Sequence, residues 1–428
     1  MKQVRIGLIG AGTVGQGLIQ ILEKEGDSIA KRTGVQVVVS RVADRSYQKK
    51  PILASYHPTD SIDDVITDSS VDIVVELIGG VDAASKVVIS SLQNGKSVVS
   101  ANKALIAVRS ADIFAAIDEG QKRNPNTTIG FEAAVGGALP LVRNMRLIWS
   151  AGKIKKMTGI LNGTCNYIMT QMQEQGSEYE AALKMAQSLG FAEADPTFDV
   201  SGKDAAQKLA ILAMLAFDVS VADRDVVTEG IENLHRVDHE IAKKMGRVIR
   251  LLAVATRSSD GLLLRVHPAM VPANHLLADV RNELNALYTE DEYSGPSFIV
   301  GSGAGALPTA AAVLSDIVAI GTGSMNRWVG DLQPLKSLTK ISYRFYFRFR
   351  TVDRPGVLAH IAGILAKYSI SIASMHQEEG TEPVDVVIVT HRADENDVAL
   401  AIAEIDKGQM ILAKTVIIRM EDNTNASF

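Results

Sequence analysis

The sequence predicts an α/β protein in three parts: a Rossmann-type nucleotide-binding domain, an α+β domain on a mixed sheet, and a C-terminal ferredoxin-like βαββαβ domain. Three observations carry this. Apolar strand-like runs alternate with helical runs over residues 1–135, and a Gly10-Ala11-Gly12-Thr13-Val14-Gly15 turn follows the first strand. From 136 the pattern changes, opening with a glycine-rich turn and pairing strands around a Ser258-Ser-Asp-Gly261 hairpin signal. Near the end, Tyr343, Phe345, Phe347 and Phe349 alternate with Arg344, Tyr346, Arg348 and Arg350, the period of two of a strand with one apolar face.

Taken in order, Val4–Ile9, Val35–Val42, Ile73–Leu77, Ser97–Ser100 and Thr127–Phe131 read as buried strands, with helices over Gly15–Lys31, Ala83–Asn94 and Ala111–Gln121. That alternation implies a parallel sheet with right-handed crossovers. In the middle block, Ile154–Leu161, Val248–Ala255 and Leu262–Pro268 read as strands. Helices are expected at Cys165–Gln175, Glu180–Leu189, Asp204–Phe217 and Thr309–Ile320. Residues 321–340 are polar and rich in Gly and Ser, as a linker should be. A strand, helix, two strands, helix and strand over 341–420 make the ferredoxin-like unit, and 421–428 is an expected disordered tail.

Composition narrows the function classes. With 428 residues, 46% hydrophobic and 22% charged, the chain is an ordinary globular protein. Its net charge of −5 argues against nucleic acid as a partner. One cysteine, Cys165, leaves no internal disulfide framework and suits a reducing, cytoplasmic location. No apolar run is long enough to span a membrane, and the run before Gly10 is too short for a secretory signal.

The Gly10–Gly15 turn is a G-x-G-x-x-G fingerprint between a strand and a helix. The first glycine allows the tight turn, the second admits a pyrophosphate against the backbone, and the third lets helix and strand pack. Asp44, at the end of the second strand, is the candidate for an adenine ribose, with Arg45, Lys49 and Lys50 after it. The acid favours NAD and the cations favour NADP, so both stay open.

The densest chemical segment is 191–208, which packs Glu193, Asp195, Asp199, Asp204, Lys203 and Lys208 into 18 residues. Crowded carboxylates repel and call for a cation or a shared proton. The same residues also read as a helix start: Ser201 and Asp204 form a capping-box pattern, and Asp204 with Lys208 is an i,i+4 pair. His235 and His239, four apart, have no third ligand in sequence and read as solvated histidines.

The 191–208 segment resembles homoserine dehydrogenase when read with Ser100-Ala-Asn102-Lys103, Glu132-Ala-Ala-Val-Gly-Gly-Ala-Leu-Pro140 and Gly159-Ile-Leu-Asn162-Gly163-Thr164-Cys-Asn-Tyr167. Residues after 340 resemble an ACT domain through Asp353-Arg-Pro-Gly-Val-Leu358. The resemblance implies reversible reduction of L-aspartate 4-semialdehyde to L-homoserine with NADP or NAD. It implies Lys208 as the acid–base group, with Asp204 beside it, and Glu193, Asp204, Lys103 and Asp199 as substrate-binding residues. Ser100, Lys103 and Gly305 would join the Gly10–Gly15 turn, Asp44 and Arg45 around the cofactor. Backbone carbonyls of Glu132, Val135, Gly137 and Leu139 would hold a sodium ion. Asn162-Gly163 reads as a loop capped by Thr164.

The implied division is 1–135 with about 305–320 for the nucleotide, 136–304 for substrate binding and dimerisation, and 341–420 as the regulatory ACT domain. A homodimer or homotetramer and threonine as effector complete the expectation. One departure stands out: Gln207 occupies the position before Lys208 where the family commonly has Arg.

Overall fold

In the computed structural model, residues 1–147, 151–325, 332–338, 340–377 and 382–422 are described. The expected tail from 423, and 326–331 and 339 of the expected linker, lie outside the described residues. The chain divides into two compact units: Met1–Lys155 with Ala206–Val226 and Thr289–Leu335, and Lys156–Ala205 with Val227–Tyr288 and Lys336–Phe428.

The first unit begins β1 (Lys2–Ile9), α1 (Thr13–Thr33), β2 (Val35–Ala43), β3 (Pro58–Thr59), α2 (Asp63–Ile66), β4 (Ile73–Glu76), α3 (Asp82–Gln93), β5 (Ser97–Ser100), α4 (Lys103–Gln121), β6 (Ile129–Gly130) and α5 (Leu141–Leu147). These six strands form one parallel sheet in the order β3-β2-β1-β4-β5-β6. Strands buried on both faces are largely apolar, as Ile73, Val74 and Val75 of β4 and Ile6, Leu8 and Ile9 of β1 are.

Next along the chain come β7 (Ile154–Ile160), α6 (Gly163–Gln175), α7 (Tyr179–Ser188), α8 (Thr197–Val200), α9 (Lys203–Phe217), β8 (Val219–Ser220), β9 (Val227–Thr228), α10 (Arg236–Lys244), β10 (Arg247–Arg257), β11 (Leu262–Pro272), β12 (Leu284–Asp291), β13 (Gly295–Ser302) and α11 (Ala306–Thr322). Helix α11 returns to the parallel sheet: its Ala310, Val313 and Ile317 share a core with Ile6, Leu8, Leu18 and Val75. It lies close to α1, where a Cβ on Gly17 would come within 3.3 Å of the Ala306 carbonyl.

The chain ends with β14 (Gln333–Pro334), β15 (Ser342–Thr351), α12 (Val357–Lys367), β16 (Ile372–Gln377), β17 (Val384–Thr390), β18 (Ala393–Asp394), α13 (Glu395–Ile405) and β19 (Val416–Met420). Parts of the 321–340 segment are tied into structure. Strand β14 pairs with β8, and Leu262 exchanges backbone hydrogen bonds with Lys336 and Leu338.

In the second unit, one sheet continues from the middle block into the C-terminal one, in the order β12-β7-β10-β11-β19-β15-β17-β16. The junction is β11 with β19, parallel, with Ala269 opposite Arg419. The aromatic face of β15 (Phe345, Phe347, Phe349) packs with Ile361, Leu365, Val398 and Ile402 from α12 and α13. The middle of the opposite face is buried as well: Tyr346 is 0% and Arg348 3% exposed. Both bind Asp238 of α10, the Tyr346 hydroxyl at 2.8 Å and Arg348 Nε at 2.8 Å from Oδ1. Asp238 Oδ2 accepts the His235 N–H at the head of that helix at 2.9 Å. The neighbouring His239 is not solvated as expected but 3% exposed, and burial pushes its imidazole down to about 4, leaving it neutral.

Candidate functional site

The first unit holds a cleft of about 390 Å³ at the carboxyl ends of its strands, lined by Gly10, Gly12, Asp44, Arg45, Ser46, Ile78 and Gly79 among others. Its shape follows from the three glycines. Gly10 sits at φ +95°, and a Cβ there would meet the Leu77 carbonyl at 2.7 Å. A Cβ on Gly15 would stand 2.4 Å from the Gly10 oxygen, so only glycine lets α1 start so close to its strand. At Gly12 a Cβ would meet nothing within 4 Å. The protein itself does not require glycine there, and the open space lies at an α1 N-terminus with no side-chain cap and no acid in its first turn. Such an end presents free N–H groups and positive partial charge to an anion, so the residues fit a dinucleotide pyrophosphate.

Asp44 stands on the floor of the same cleft. Burial alone would raise its carboxyl, but hydrogen bonds from Lys50 Nζ (2.7 Å), the Ala11 N–H (2.9 Å) and Ser46 outweigh it and hold it at about 2. The acid is therefore ionised and partly compensated by one of the lysines that follow it.

A second organiser was not legible as a functional residue in the sequence. Glu76, fully buried at the end of β4, accepts the Ile78 and Gly79 N–H groups at 2.9 and 3.3 Å and the Ser100 hydroxyl at 2.6 Å. Ser100 in turn accepts the Asn102 N–H at 3.1 Å, and Asn102 caps α4 through the Leu105 N–H while its amide donates to the Gly80 carbonyl at 2.5 Å. Ser100 thus holds the strand end, and Lys103 is the first residue of α4, half-buried. A cation there faces the positive end of the helix, a position disfavoured without a compensating anion. The only sequence signal for Glu76 was an acid inside an apolar strand.

The glycine turn at 136–137, with φ +77° and +56°, follows Glu132, whose carboxylate caps α5 through the Val142 (3.0 Å) and Arg143 (2.7 Å) N–H groups. Burial, and then the neighbouring Asp316, push the Glu132 carboxyl up to about 7. In the same loop Val135, Gly137 and Leu139 are buried, the Glu132 carbonyl accepts the Val135 N–H at 3.3 Å, and the Leu139 carbonyl accepts the Leu141 N–H at 2.8 Å. Gly305 is the residue before α11, exposed, at φ +125°.

In the second unit the structure gathers Asn162, Asp199 and Asp204. The Asn162 amide donates to Asp199 Oδ1 at 2.7 Å and to Asp204 Oδ2 at 2.9 Å, while its Oδ1 accepts the Cys165 N–H at 2.8 Å and caps α6. Two expectations need correcting here. Thr164 is not the cap; its hydroxyl donates to the Phe191 carbonyl instead. The Ser201 capping box does not form either, because α9 begins two residues later at Lys203 and the Ser201 hydroxyl is buried without a partner. Gly202, at φ +81°, makes the turn into the helix.

Asp204 is 5% exposed and Lys208, one turn on, is half-buried. Cys165 is fully buried, and its thiol donates to the Asp199 carbonyl at 3.2 Å. Glu193 is exposed on the loop between α7 and α8, where its carbonyl accepts the Gln187 amide at 3.1 Å. Gln207 is buried and donates to Asp223 at 3.2 Å. Among the described residues no cluster of His, Cys, Asp and Glu could hold a metal, and no helix is long and apolar enough to cross a membrane.

Comparison with known proteins agrees over the whole length. Residues 140–318 match the homoserine dehydrogenase family, 10–124 the homoserine dehydrogenase NAD-binding domain, and 345–407 the ACT domain. The homoserine dehydrogenase of Pseudomonas aeruginosa is 39% identical, covering 98% of this chain and 99% of its own. That of Bacillus subtilis is 35% identical over 99% of both. A crystal structure of a homoserine dehydrogenase from Thiobacillus denitrificans aligns at TM-score 0.90 and 38% identity over 99% of each chain. A hyperthermophilic archaeal homoserine dehydrogenase in complex with NADPH shares the fold over 76% of this chain and 99% of its own, at TM-score 0.63 and 24% identity.

Proposed function

The chain belongs to the homoserine dehydrogenase family of NAD(P)-dependent oxidoreductases in amino-acid biosynthesis, and from that premise we propose how its residues divide the work between them. The reaction is the reversible reduction of L-aspartate 4-semialdehyde to L-homoserine. A nicotinamide cofactor, when bound, supplies the hydride. Gly10–Gly15 take its pyrophosphate, Asp44 and Arg45 its adenosine end, and Ser100 and Gly305 flank it. Lys208 protonates the carbonyl oxygen in reduction and receives the hydroxyl proton in oxidation. Asp204, one turn earlier, keeps the ammonium oriented. Glu193, Asp204 and Asp199 bind the substrate's own ammonium, and Lys103 orients substrate and cofactor.

One observation carries this reading best: Asp199 and Asp204 are held side by side by a single buried amide. Two carboxylates kept together suit a cationic group, and an amino-acid substrate brings one. Sodium on the carbonyls of Glu132, Val135, Gly137 and Leu139 belongs to the same proposal. So does the division at 1–135 with 305–320, 136–304 and 341–420. A homodimer or homotetramer, threonine as effector through the ACT domain, and a cytoplasmic location also belong to it. The exposed edge strand β16 supports assembly, and the single cysteine supports the compartment.

Lys208→Ala tests the central assignment. Homoserine oxidation, followed as nicotinamide absorbance with NAD and with NADP, is expected to fall by about 10²–10⁴. Turnover near that of the wild type would remove Lys208 from its role, and the two cofactors compared in one assay settle the preference.

A further inference from the structure

Besides Asp238, a second carboxylate, Glu229, ties the C-terminal strands to the rest of the second unit. Glu229 follows β9, which pairs with β11, and its N–H donates to the Val266 carbonyl at 2.8 Å. Arg419 of β19 binds its side chain in bidentate fashion, Nη1 to Oε2 at 2.8 Å and Nη2 to Oε1 at 2.7 Å. Arg265 of β11 adds a third contact at 3.1 Å. Both guanidinium groups also pair with Glu395 at the head of α13, Arg419 through Nε at 3.0 Å. The arginines are 3% and 6% exposed, so their charges depend on these two acids.

From Glu229 the chain runs straight onto the acidic turn. A Cβ on Gly230 would stand 2.5 Å from the Val200 carbonyl oxygen, and that oxygen accepts the Ile231 N–H at 2.9 Å. On the other side, a Cβ on Gly202 would meet Thr228 Cγ2 and Val266 Cγ1 at 3.0 Å. Residues 199–202 are thus wedged against the strand that Glu229 anchors. Asp199 opens this segment, Asp204 lies two residues beyond its end, and Asn162 joins the two.

We propose that Glu229 is a positioning residue for substrate binding: gripped by Arg419 and Arg265, it sets the strand against which the Asp199–Asp204 turn is shaped. The C-terminal domain is then part of the scaffold of the amino-acid site. This rests on the reading of Asp199 and Asp204 as substrate-binding residues.

The test compares full-length wild type, Glu229→Ala, Glu229→Gln and Asp204→Asn in homoserine oxidation and in amide hydrogen exchange. Glu229→Gln keeps the shape and serves if Glu229→Ala folds poorly. Both Glu229 variants are expected to raise KM for homoserine about ten-fold, the equivalent of about 1.4 kcal/mol. KM for the cofactor should stay unchanged, and exchange should become faster at residues 199–204. A loss of kcat with both KM values unchanged would mark a merely structural role and overturn the proposal. So would unaltered exchange at 199–204. If Asp204→Asn leaves KM for homoserine untouched while exchange still rises in the Glu229 variants, the substrate assignment fails but the mechanical link stands.

Discussion

Asn162 offers the sharpest test of the site, because two substitutions separate its roles. Asn162→Ala removes the α6 cap, worth about 1 kcal/mol. It also removes the donor to Asp199 and Asp204. Asp199 is half-exposed and water can replace its bond, whereas Asp204, at 5% exposure, bears the cost of a lost bond to a charged group, about 2–3 kcal/mol. The expected loss of stability is about 3–4 kcal/mol. Asn162→Asp restores the cap but places a third carboxylate where the amide was, 2.7 and 2.9 Å from the other two. Like charges at such range repel by about 6 kcal/mol for each pair at an effective dielectric of ~20.

The sign of the pH dependence follows. Repulsion raises the folded-state pKa of the new carboxylate, so the penalty is small at low pH and grows as pH rises through that value. Urea unfolding at pH 5.5 and pH 8 should show Asn162→Asp closest to wild type at the lower pH, and Asn162→Ala with a deficit less dependent on pH. KM for homoserine should rise in both. An Asn162→Asp protein as stable as wild type at pH 8 would refute the donor role.

Two other predictions address the nucleotide unit. Gly12→Ala should leave thermal stability unchanged, since its Cβ meets no protein atom, but raise KM for the cofactor; Gly15→Ala, 2.4 Å from the Gly10 oxygen, should lower Tm by the equivalent of about 1–3 kcal/mol of overpacking. Equal Tm values for the two variants would contradict the close-approach argument. The Glu132 carboxyl, raised to about 7, binds a proton in the fold that the unfolded chain has released, so stability should fall by up to about 3 kcal/mol as pH climbs from 4.5 to 7. Glu132→Gln should flatten that slope in denaturant titrations, and an unchanged slope would place the effect elsewhere.

The nucleotide fold was readable because its signals are local. The Gly10–Gly15 spacing, the apolar runs and Asp44 each speak for themselves within a few residues. What stayed hidden depends on partners far along the chain. Ser201 looks like a cap three residues before an acid, yet the turn at Gly202 moves the helix start past it. Thr164 looks like a cap and instead reaches the Phe191 carbonyl. Asn162 and Glu76 became visible only when strands and turns brought their acceptors and donors together. The Arg and Tyr face of β15 reads as a solvent face until Asp238, over a hundred residues away, covers it.

That doubly buried strand bears on modularity. A regulatory domain on a linker is commonly treated as something that can be trimmed away. Here, ending the chain before β15 would strip β11 of its neighbour β19 and leave Asp238 without Tyr346 and Arg348. Leaving one partner of a buried pair unmatched costs about 3–5 kcal/mol, comparable with the whole stability margin of many domains. The last eighty or so residues are therefore less an appendage than a wall of the substrate domain, and a shortened version would need new residues at α10 and along β11 before it could be a fair control.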